Sequence, residues 1–530
     1  MVTLHEEAPR GADRACFARL LALARPRLGS FDAFGLCVIV RTAARLATRL
    51  GSEDLQAWCE AAGRRLDSFN PQDLANSVFS VGVAGQRLPD ASLPAFCAAI
   101  RRLAPRMNTQ EQANALLGLA YTLPRGTAAP RRPGKQRDME AAAEAVLRAR
   151  WPPRSAFKHQ ELANLAWTFS KLTGFPAWER CEAQLWELFS EAADRAFQLP
   201  PQELSNLCLA MATTTFFHPQ ALSTLVAAAA ACAPHLDEQH LDNILSSAAT
   251  LPHRVSEAGA AAGTEEQRPC VHPEHVAALR EELLHRLLLQ EGRPSGAKGY
   301  APTAAGICHA VWGLAVLQAC TAEVCHAAMA ALQRLREAGS PDEDMGHVQL
   351  HDAHLQLAAE GWQVELPPAL EARARRAMGR LRDTVGVSEL HREVSAALQA
   401  ARVEHSVEFR PEGSYRSVDI ALPAERIAIE VDGPYHFAVN QVHGRHWRLG
   451  TTSARDRLLG ALGWRVLIVD WQAWRKLPQE SAARQRWLLA QLAAVRACSA
   501  GGSGGDGSKP PLAERQPRPG PPLHAQARQQ

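Results

Sequence analysis

The chain has 530 residues, a hydrophobic fraction of 46%, few aromatics at 6% and a formal net charge of +3. That length predicts several domains or one elongated array, and no run approaches the roughly 18 apolar residues that would cross a bilayer as a helix. Near-neutral charge rules out an argument for nucleic-acid binding from the whole-molecule field, so any such role must rest on local patches.

The first residues, Met1-Val-Thr-Leu-His-Glu-Glu, carry two acids and no apolar core. They predict no signal peptide and match poorly to a transit peptide, which is rich in Arg and Ser and poor in acids. Residues 1–29 read as an N-terminal extension; either the protein is not imported into an organelle or its natural start lies upstream. Twelve cysteines are scattered from Cys16 to Cys498 without a C-x-x-C spacing, Cys320 and Cys325 being the nearest pair. Such scatter suits buried thiols better than a disulfide framework or a zinc site.

Residues 30–356 repeat. Gln-x-x-x-Asn recurs as Gln72/Asn76, Gln110/Asn114, Gln160/Asn164, Gln202/Asn206 and Gln239/Asn243, at spacings of 38, 50, 42 and 37 residues. Most copies open a helix. Asn70-Pro71-Gln72-Asp73, Asn108-Thr-Gln-Glu111, Pro200-Pro201-Gln202-Glu203 and Asp237-Glu-Gln supply capping side chains, first-turn prolines and acids at the positive helix end. A second amphipathic stretch follows, as at 93–103. A period near 38 with two helices per unit predicts an α-solenoid of six to seven helical hairpins. Weaker copies lie at 34–40 and 304–314, the latter with Trp312 in register with Trp167 and His309 in the Asn place. Insertions near 125–140 and 254–300 account for the longer spacings; the second holds a polar Gly/Ala stretch and an extra helix near 273–290. A helical linker, 357–388, follows the array.

Residues 389–478 have a different pattern, that of a small α/β module. The run Ile427-Ala-Ile-Glu430-Val-Asp432 predicts a buried strand ending in the turn Asp432-Gly433-Pro434. Side chains alternate along a strand, so Glu430 and Asp432 share a face. Residues 417–422, carrying Asp419, predict a neighbouring strand, which would let three carboxylates converge with His436 close by. A polar loop, a helix over 453–462 and a third strand over 465–470 complete the module. The tail, 498–530, is rich in Gly, Ser, Pro and Gln and predicts disorder.

The series Asp419-Ile-Ala, Ile427-Ala-Ile-Glu-Val-Asp-Gly-Pro-x-His-Phe437, Leu449-Gly-Thr-Thr-x-x-Arg-Asp-Arg-Leu-Leu459, Leu462-Gly-Trp-Arg-Val466 and Trp471-x-x-Trp-Arg-Lys-Leu477 resembles the RAP domain. That resemblance implies a fold similar to restriction endonucleases at the C-terminus of an organellar RNA-processing or translation factor. The repeats, as in Pro200-Pro-Gln-Glu-Leu-Ser-Asn-Leu207, resemble octotricopeptide repeats, whose arrays bind organellar RNA. Together they imply a chloroplast or mitochondrial protein, an α-solenoid followed by a restriction-endonuclease-like (RAP) domain.

Site residues follow with their alternatives. A side chain that reads bases must vary between repeats; Gln and Asn recur in all five copies, so a role joining helices is favoured over base reading. Asp73, Ser80, Gly118, Thr168 and Ala210 are the better base-reading candidates. Arg445, Arg448, Arg455, Arg457 and Lys476, with Trp447, Trp471 and Trp474 nearby, could pair phosphates and stack bases, or form an ordinary charged surface. His443 and His446 have metal-ligand spacing but no further partners, which favours a solvated loop. In endonucleases of the similar fold an Asp and an acid on adjacent strands hold Mg²⁺. Asp419 and Glu430 fill those places as metal ligands, Asp432 stands where a lysine is expected, and His436 would have to assist water activation. An inactive or very slow site, in which Asp432 caps the turn and Glu430 pairs an arginine such as Arg457, is the favoured alternative.

Three functions remain open on the sequence. The first is a single-stranded RNA-binding protein that needs no cofactor, stabilising, processing or helping translate an organellar transcript, in company with other RNA-processing proteins. The second is a Mg²⁺-dependent endoribonuclease using Asp419, Glu430, Asp432 and His436. The third is a protein-binding scaffold.

Overall fold

Helices begin where the sequence provides caps. Asn70 Oδ1 accepts the Asp73 amide at 2.7 Å, Asn108 and Glu111 cap one another's main chain, and Asp237 and His240 form a reciprocal capping box. Each such cap satisfies one of the orphan amides of a first turn and is worth about 1 kcal/mol.

The computed structural model describes residues 11–122, 133–149, 157–171, 178–256, 267–289, 303–335, 341–362, 364–381, 387–411 and 417–497. The tail expected over 498–530, the first ten residues and the insertion segments 123–132, 257–266 and 290–302 lie outside them. The chain divides into two units. One comprises Met1–Ala353, Leu366–Arg382 and Pro434–Arg455; the other comprises His354–Glu365, Asp383–Gly433 and Asp456–Gln530. No described helix is long and apolar enough to cross a membrane.

In the first unit α1 (Gly11–Ala24) precedes seven helix pairs: α2 (Ala33–Arg45) and α3 (Ser52–Gly63), α4 (Pro71–Val83) and α5 (Leu93–Leu103), α6 (Thr109–Thr122) and α7 (Pro133–Arg148), α8 (His159–Lys171) and α9 (Trp178–Asp194), α10 (Pro201–Thr214) and α11 (Pro219–Ala231), α12 (Glu238–Thr250) and α13 (Pro273–Leu289), α14 (Ala304–Val316) and α15 (Ala322–Arg334). First helices pack in series from α2 to α14, and α9, α11, α13 and α15 do so among the second helices. The helix near 273–290 is therefore α13, the ordinary second helix of the α12 unit, seated between α11 and α15. Likewise α7 begins at Pro133, inside the segment expected to be an inserted loop, and packs on α5. In both cases long preceding insertions hide the partner helix from a strict 38-residue count. A short β-ribbon, β1 (Arg254–Ser256) with β2 (Gln267–Pro269), precedes α13. Two more helices, α16 (Pro341–Ala359) and α17 (Pro368–Leu381), follow α15, and Arg380 of α17 pairs with Asp344 of α16.

The eighth residue after each repeat Gln is small and buried, as Ser80, Gly118, Thr168, Ala210 and Ser247, and so is Gly313 at the matching place of the α14 copy. A Cβ on Gly118 would sit 2.7 Å from the Val78 carbonyl carbon, and one on Gly313 2.9 Å from Leu245 main chain. The helices thus approach at backbone distance. Arginines staple the turns: Arg65 donates to Gly29 O at 2.6 Å, Arg102 to Leu66 O at 2.7 Å and Arg195 to Phe157 O at 2.7 Å. Gln86 grips both the amide and the carbonyl of Leu50 from one unit further on, at 2.9 and 2.8 Å.

In the second unit α18 (Glu389–Ala400) leads into a four-stranded sheet ordered β3 (Ser406–Phe409), β4 (Val418–Leu422), β5 (Ile427–Asp432) and β8 (Arg465–Asp470). The first two pairings are antiparallel; β5 and β8 run parallel, joined by a connection containing α19 (Gly450–Ala461). Ile427, Ile429 and Val431 pack one way against Val394 and Leu398 of α18, Trp474 of α20 (Trp471–Lys476) and Leu488 of α21 (Ser481–Ala497). Ala428 packs the other way with Leu459 and Trp464. A mostly helical array followed by a small α/β module is the architecture the sequence implied.

Because a methyl at Gly118 meets main chain that cannot rotate away, Gly118→Ala is expected to destabilise the protein by about 1–3 kcal/mol through overpacking. Gly460→Ala, whose added methyl meets nothing within 4 Å, serves as the control; thermal unfolding compared across wild type and the two variants reads the difference.

Candidate nucleic-acid interface

On each first helix the repeat Gln, the Asn four residues on and the residues seven and eleven on lie along one face. Gln72, Gln110, Gln160 and Gln239 are exposed, while Asn76, Asn164, Asn206 and Asn243 are half-buried. The seventh place holds Phe79, Trp167 and Leu209, all half-buried, and the eleventh holds Val83 and Tyr121. Amides thus occupy one stripe in successive repeats, with half-buried rings beside them on α4, α6 and α8. The asparagines also join neighbours: Asn114 Nδ2 donates to Asn76 Oδ1 at 2.9 Å and Asn243 Nδ2 to Ser205 Oγ at 3.0 Å. Gln110 Nε2 donates to Asn114 Oδ1 at 3.1 Å. In the α14 copy His309 replaces Asn and its Nδ1 lies 3.6 Å from Asp242. Burial raises the Asp242 carboxyl above its usual range, opposed by His309. Asn243, Ser246, His309 and Trp312 line an open cavity of about 540 Å³ between α12 and α14.

The variable residues expected to read bases are not on this stripe. Asp73, Ser80, Gly118, Thr168 and Ala210 are all buried. Gly118 sits at a close helix approach and the small buried Ser80, Thr168 and Ala210 occupy the same place in their repeats, so small size here answers to packing; burial raises the Asp73 carboxyl.

Residues 434–455, expected to hold a polar loop, contain a hairpin instead, and this hairpin packs in the first unit. Strands β6 (Phe437–Val442) and β7 (Arg445–Arg448) pair across His443-Gly444, whose positive φ values of 53° and 72° suit a tight two-residue hairpin turn. Asn440, 1% exposed, accepts the Phe217 amide at 2.7 Å and donates to the Phe217 carbonyl at 2.9 Å. Val439 N donates to Thr215 O at 3.0 Å, and Trp447 meets Phe217 edge-on with ring centroids 6.3 Å apart. Gly450, opening α19, leaves no room for a side chain: a Cβ would come within 2.7 Å of Leu251 O. The loop that receives the hairpin is itself fixed by His218, whose Nδ1 accepts the Ala221 amide at 3.1 Å and whose Nε2 lies 3.1 Å from Ser190 Oγ. Burial pushes the His218 ring down to about 4. His446 Nδ1 lies 3.1 Å from Ala438 O within the hairpin, and His443 is exposed at its turn.

The acids of the sheet are separated by burial. Glu430 and Asp432 are 0% exposed on β5. Asp419 Oδ2 accepts the Val431 amide at 2.7 Å, standing in for a missing rung of the ladder between β4 and β5. Among the described residues the one group of three possible ligands brings Asp419 together with His391 and Glu408, and not with Glu430 or Asp432. Opposite Asp419, Glu408 interrupts the β3–β4 pairing with a left-handed φ of 50°, a strained setting for a non-glycine residue. His436 is half-buried; its Nδ1 lies 3.3 Å from Thr452 Oγ1 and its carbonyl accepts the Leu449 amide.

Of the basic residues, Arg445 and Lys476 are exposed, whereas Arg448, Arg455 and Arg457 are half-buried. Arg457 lies close enough to Glu360 to oppose the burial that raises its carboxyl. Trp474 cannot stack on a base: it is 0% exposed and its Nε1 donates to Glu393 at 2.9 Å. Trp471 and Trp447 are half-buried, the former under Arg475 at 5.3 Å. Tyr435, which sequence reasoning passed over, is 93% exposed between Pro434 and His436. An aromatic in a turn ending a buried strand was the available signal.

Residues 429–487 match the family model of the RAP domain. A RAP domain-containing chloroplastic protein of Oryza sativa subsp. japonica is 32% identical over 93 residues, which is 18% of this chain and 14% of that protein. The family model falls in the C-terminal α/β region, and the likeness to the relative leaves most of both chains unmatched.

Two outcomes test the hairpin seat. Asn440→Ala strands a buried amide and carbonyl of Phe217 and should cost about 2–4 kcal/mol in urea unfolding. For His218 the folded proton affinity lies below the unfolded one, so the unfolded state binds the extra proton between pH 6.5 and about 4. Stability is therefore lost as pH falls through that window, by up to roughly 3 kcal/mol. His218→Asn, which can still cap α11, should remove that part of the slope.

Proposed function

We propose that this chain binds single-stranded RNA in an organelle and acts in post-transcriptional gene expression, through stabilisation, processing or translation of a transcript. The observation that carries the reading is the stripe of Gln and Asn amides repeated on successive first helices, with half-buried rings beside it on α4, α6 and α8, in a chain that also carries a RAP domain match. Every base has a face to stack and edges to bond, so rings alternating with amides suit a single strand. The RAP-like region adds contacts through Tyr435, Arg445 and Lys476, all exposed. The helical units serve as octotricopeptide-like repeats in this reading, and the chloroplastic relative favours that organelle. Partners are the transcript and other RNA-processing proteins. No Mg²⁺ is needed for binding. The cleavage alternative is less favoured because Glu430 and Asp432 are fully buried, and the group of three possible ligands that holds Asp419 includes neither.

Equilibrium binding of the full chain to fluorescent single-stranded RNA tests this. Affinity should fall with salt at a logarithmic slope of about −0.7 for each phosphate contacted, and Arg445→Ala should make that slope shallower by about one contact. Tyr435→Ala should weaken binding by the equivalent of about 1–3 kcal/mol without moving the unfolding midpoint, since the ring is exposed. Salt-independent capture of protein and no RNA affinity would favour the scaffold reading instead.

A further inference from the structure

We propose that His391, Glu408 and Asp419 form a site for a divalent first-row transition ion, at the edge of the sheet in the second unit. One potential ligand atom from each of the three lies within 4.8 Å of the others. Helix α18 brings His391, whose main chain is held at the helix start by Ser388 Oγ. Strand β3 brings Glu408 and β4 brings Asp419.

The imidazole is the telling group. His391 is 3% exposed; its Nε2 has no hydrogen-bond partner, and Nδ1 is the nitrogen turned towards Glu408. Its Nδ1 is 3.7 Å from Glu408 Oε1, beyond hydrogen-bond length. A buried polar ring without a hydrogen bond is costly. Two donors held about 2.1 Å from a common ion at a near-tetrahedral angle stand about 3.4 Å apart, close to the spacing seen here. The carboxylates keep one oxygen each for the purpose. Glu408 Oε2 accepts from Ser417 Oγ at 2.8 Å and Asp419 Oδ2 from Val431 N at 2.7 Å, which fixes both groups and leaves Oε1 and Oδ1.

One nitrogen with two carboxylates suits Zn²⁺ or Mn²⁺ better than Mg²⁺, which prefers an all-oxygen shell and keeps its waters. Glu408 is exposed and Asp419 half-buried, so solvent can reach the ion and complete its shell. This donor set shares Asp419 with the Mg²⁺ pair suggested by the sequence but replaces Glu430, and it stands independently of RNA binding.

The probe is the metal alone. Full-length apo-protein titrated with Co²⁺ should bind one equivalent with visible d–d absorption, displaced by Zn²⁺, and saturating Zn²⁺ should raise the unfolding temperature. Glu408→Gln keeps the Ser417 contact and, being exposed, should fold; it should weaken Co²⁺ affinity at least about tenfold and abolish the Zn²⁺ stabilisation. His391→Ala should do the same, while His443→Ala in the hairpin turn should change nothing. Absence of a one-equivalent Co²⁺ signal, or one that survives Glu408→Gln and His391→Ala, would overturn the assignment.

Discussion

Neighbouring first helices approach at backbone distance, and the organisation of the array follows from that contact. It is possible because the eighth residue after each repeat Gln, and its counterpart in the α14 copy, is small, down to glycine at Gly118 and Gly313, where any Cβ would strike the preceding helix. Close approach brings the asparagines within bonding reach of the helix before, so Asn114 meets Asn76 and Asn243 meets Ser205. It also fixes the register between repeats, which keeps the Gln, Asn and ring positions aligned from one helix to the next. A stripe capable of following an extended chain is thus a consequence of packing chemistry, with variation left to the seventh and eleventh places.

The same economy appears in the loops. Gln86 holds both main-chain groups of Leu50 from the next repeat, and Asn440 does the same for Phe217 from the hairpin far along the chain. After α12 the connecting segment carries an insertion and the β1–β2 ribbon, and in its stead the hairpin β6–β7 grips the α10–α11 loop. Residues 434–455 are consequently as much part of the array as of the RAP-matched region. The turn at Asp432-Gly433-Pro434 is where the chain passes from sheet to array.

Much of this was legible beforehand. Caps at Asn70, Asn108 and Asp237, the two-helix period and the strands carrying Asp419 and Glu430 all follow from local rules of capping, periodicity and alternation. Features set by distant contacts were not legible. Asn440 looks like any polar loop residue until Phe217 is placed against it, and Trp474 looks like a base-stacking aromatic until the sheet closes over it. Glu408 gives no sign of its left-handed backbone, so its meeting with His391 is invisible in sequence. The variable residues at the eighth place misled because variability within a small size range records packing as readily as recognition. Several arginines that swell the basic count, among them Arg65, Arg102 and Arg195, are engaged with main-chain carbonyls.

The central claim is that single-stranded RNA lies along the first helices. Ultraviolet crosslinking of the full-length protein to RNA in its own cells, with mass spectrometry of the crosslinked peptides, tests it most directly. RNA bound along the first helices would leave adducts on peptides from α4, α6, α8, α10 and α12, at the Gln, Phe79, Tyr121 and Trp167 stripe, together with Tyr435. Crosslinks confined to the second helices, or no RNA adducts above background, would contradict it.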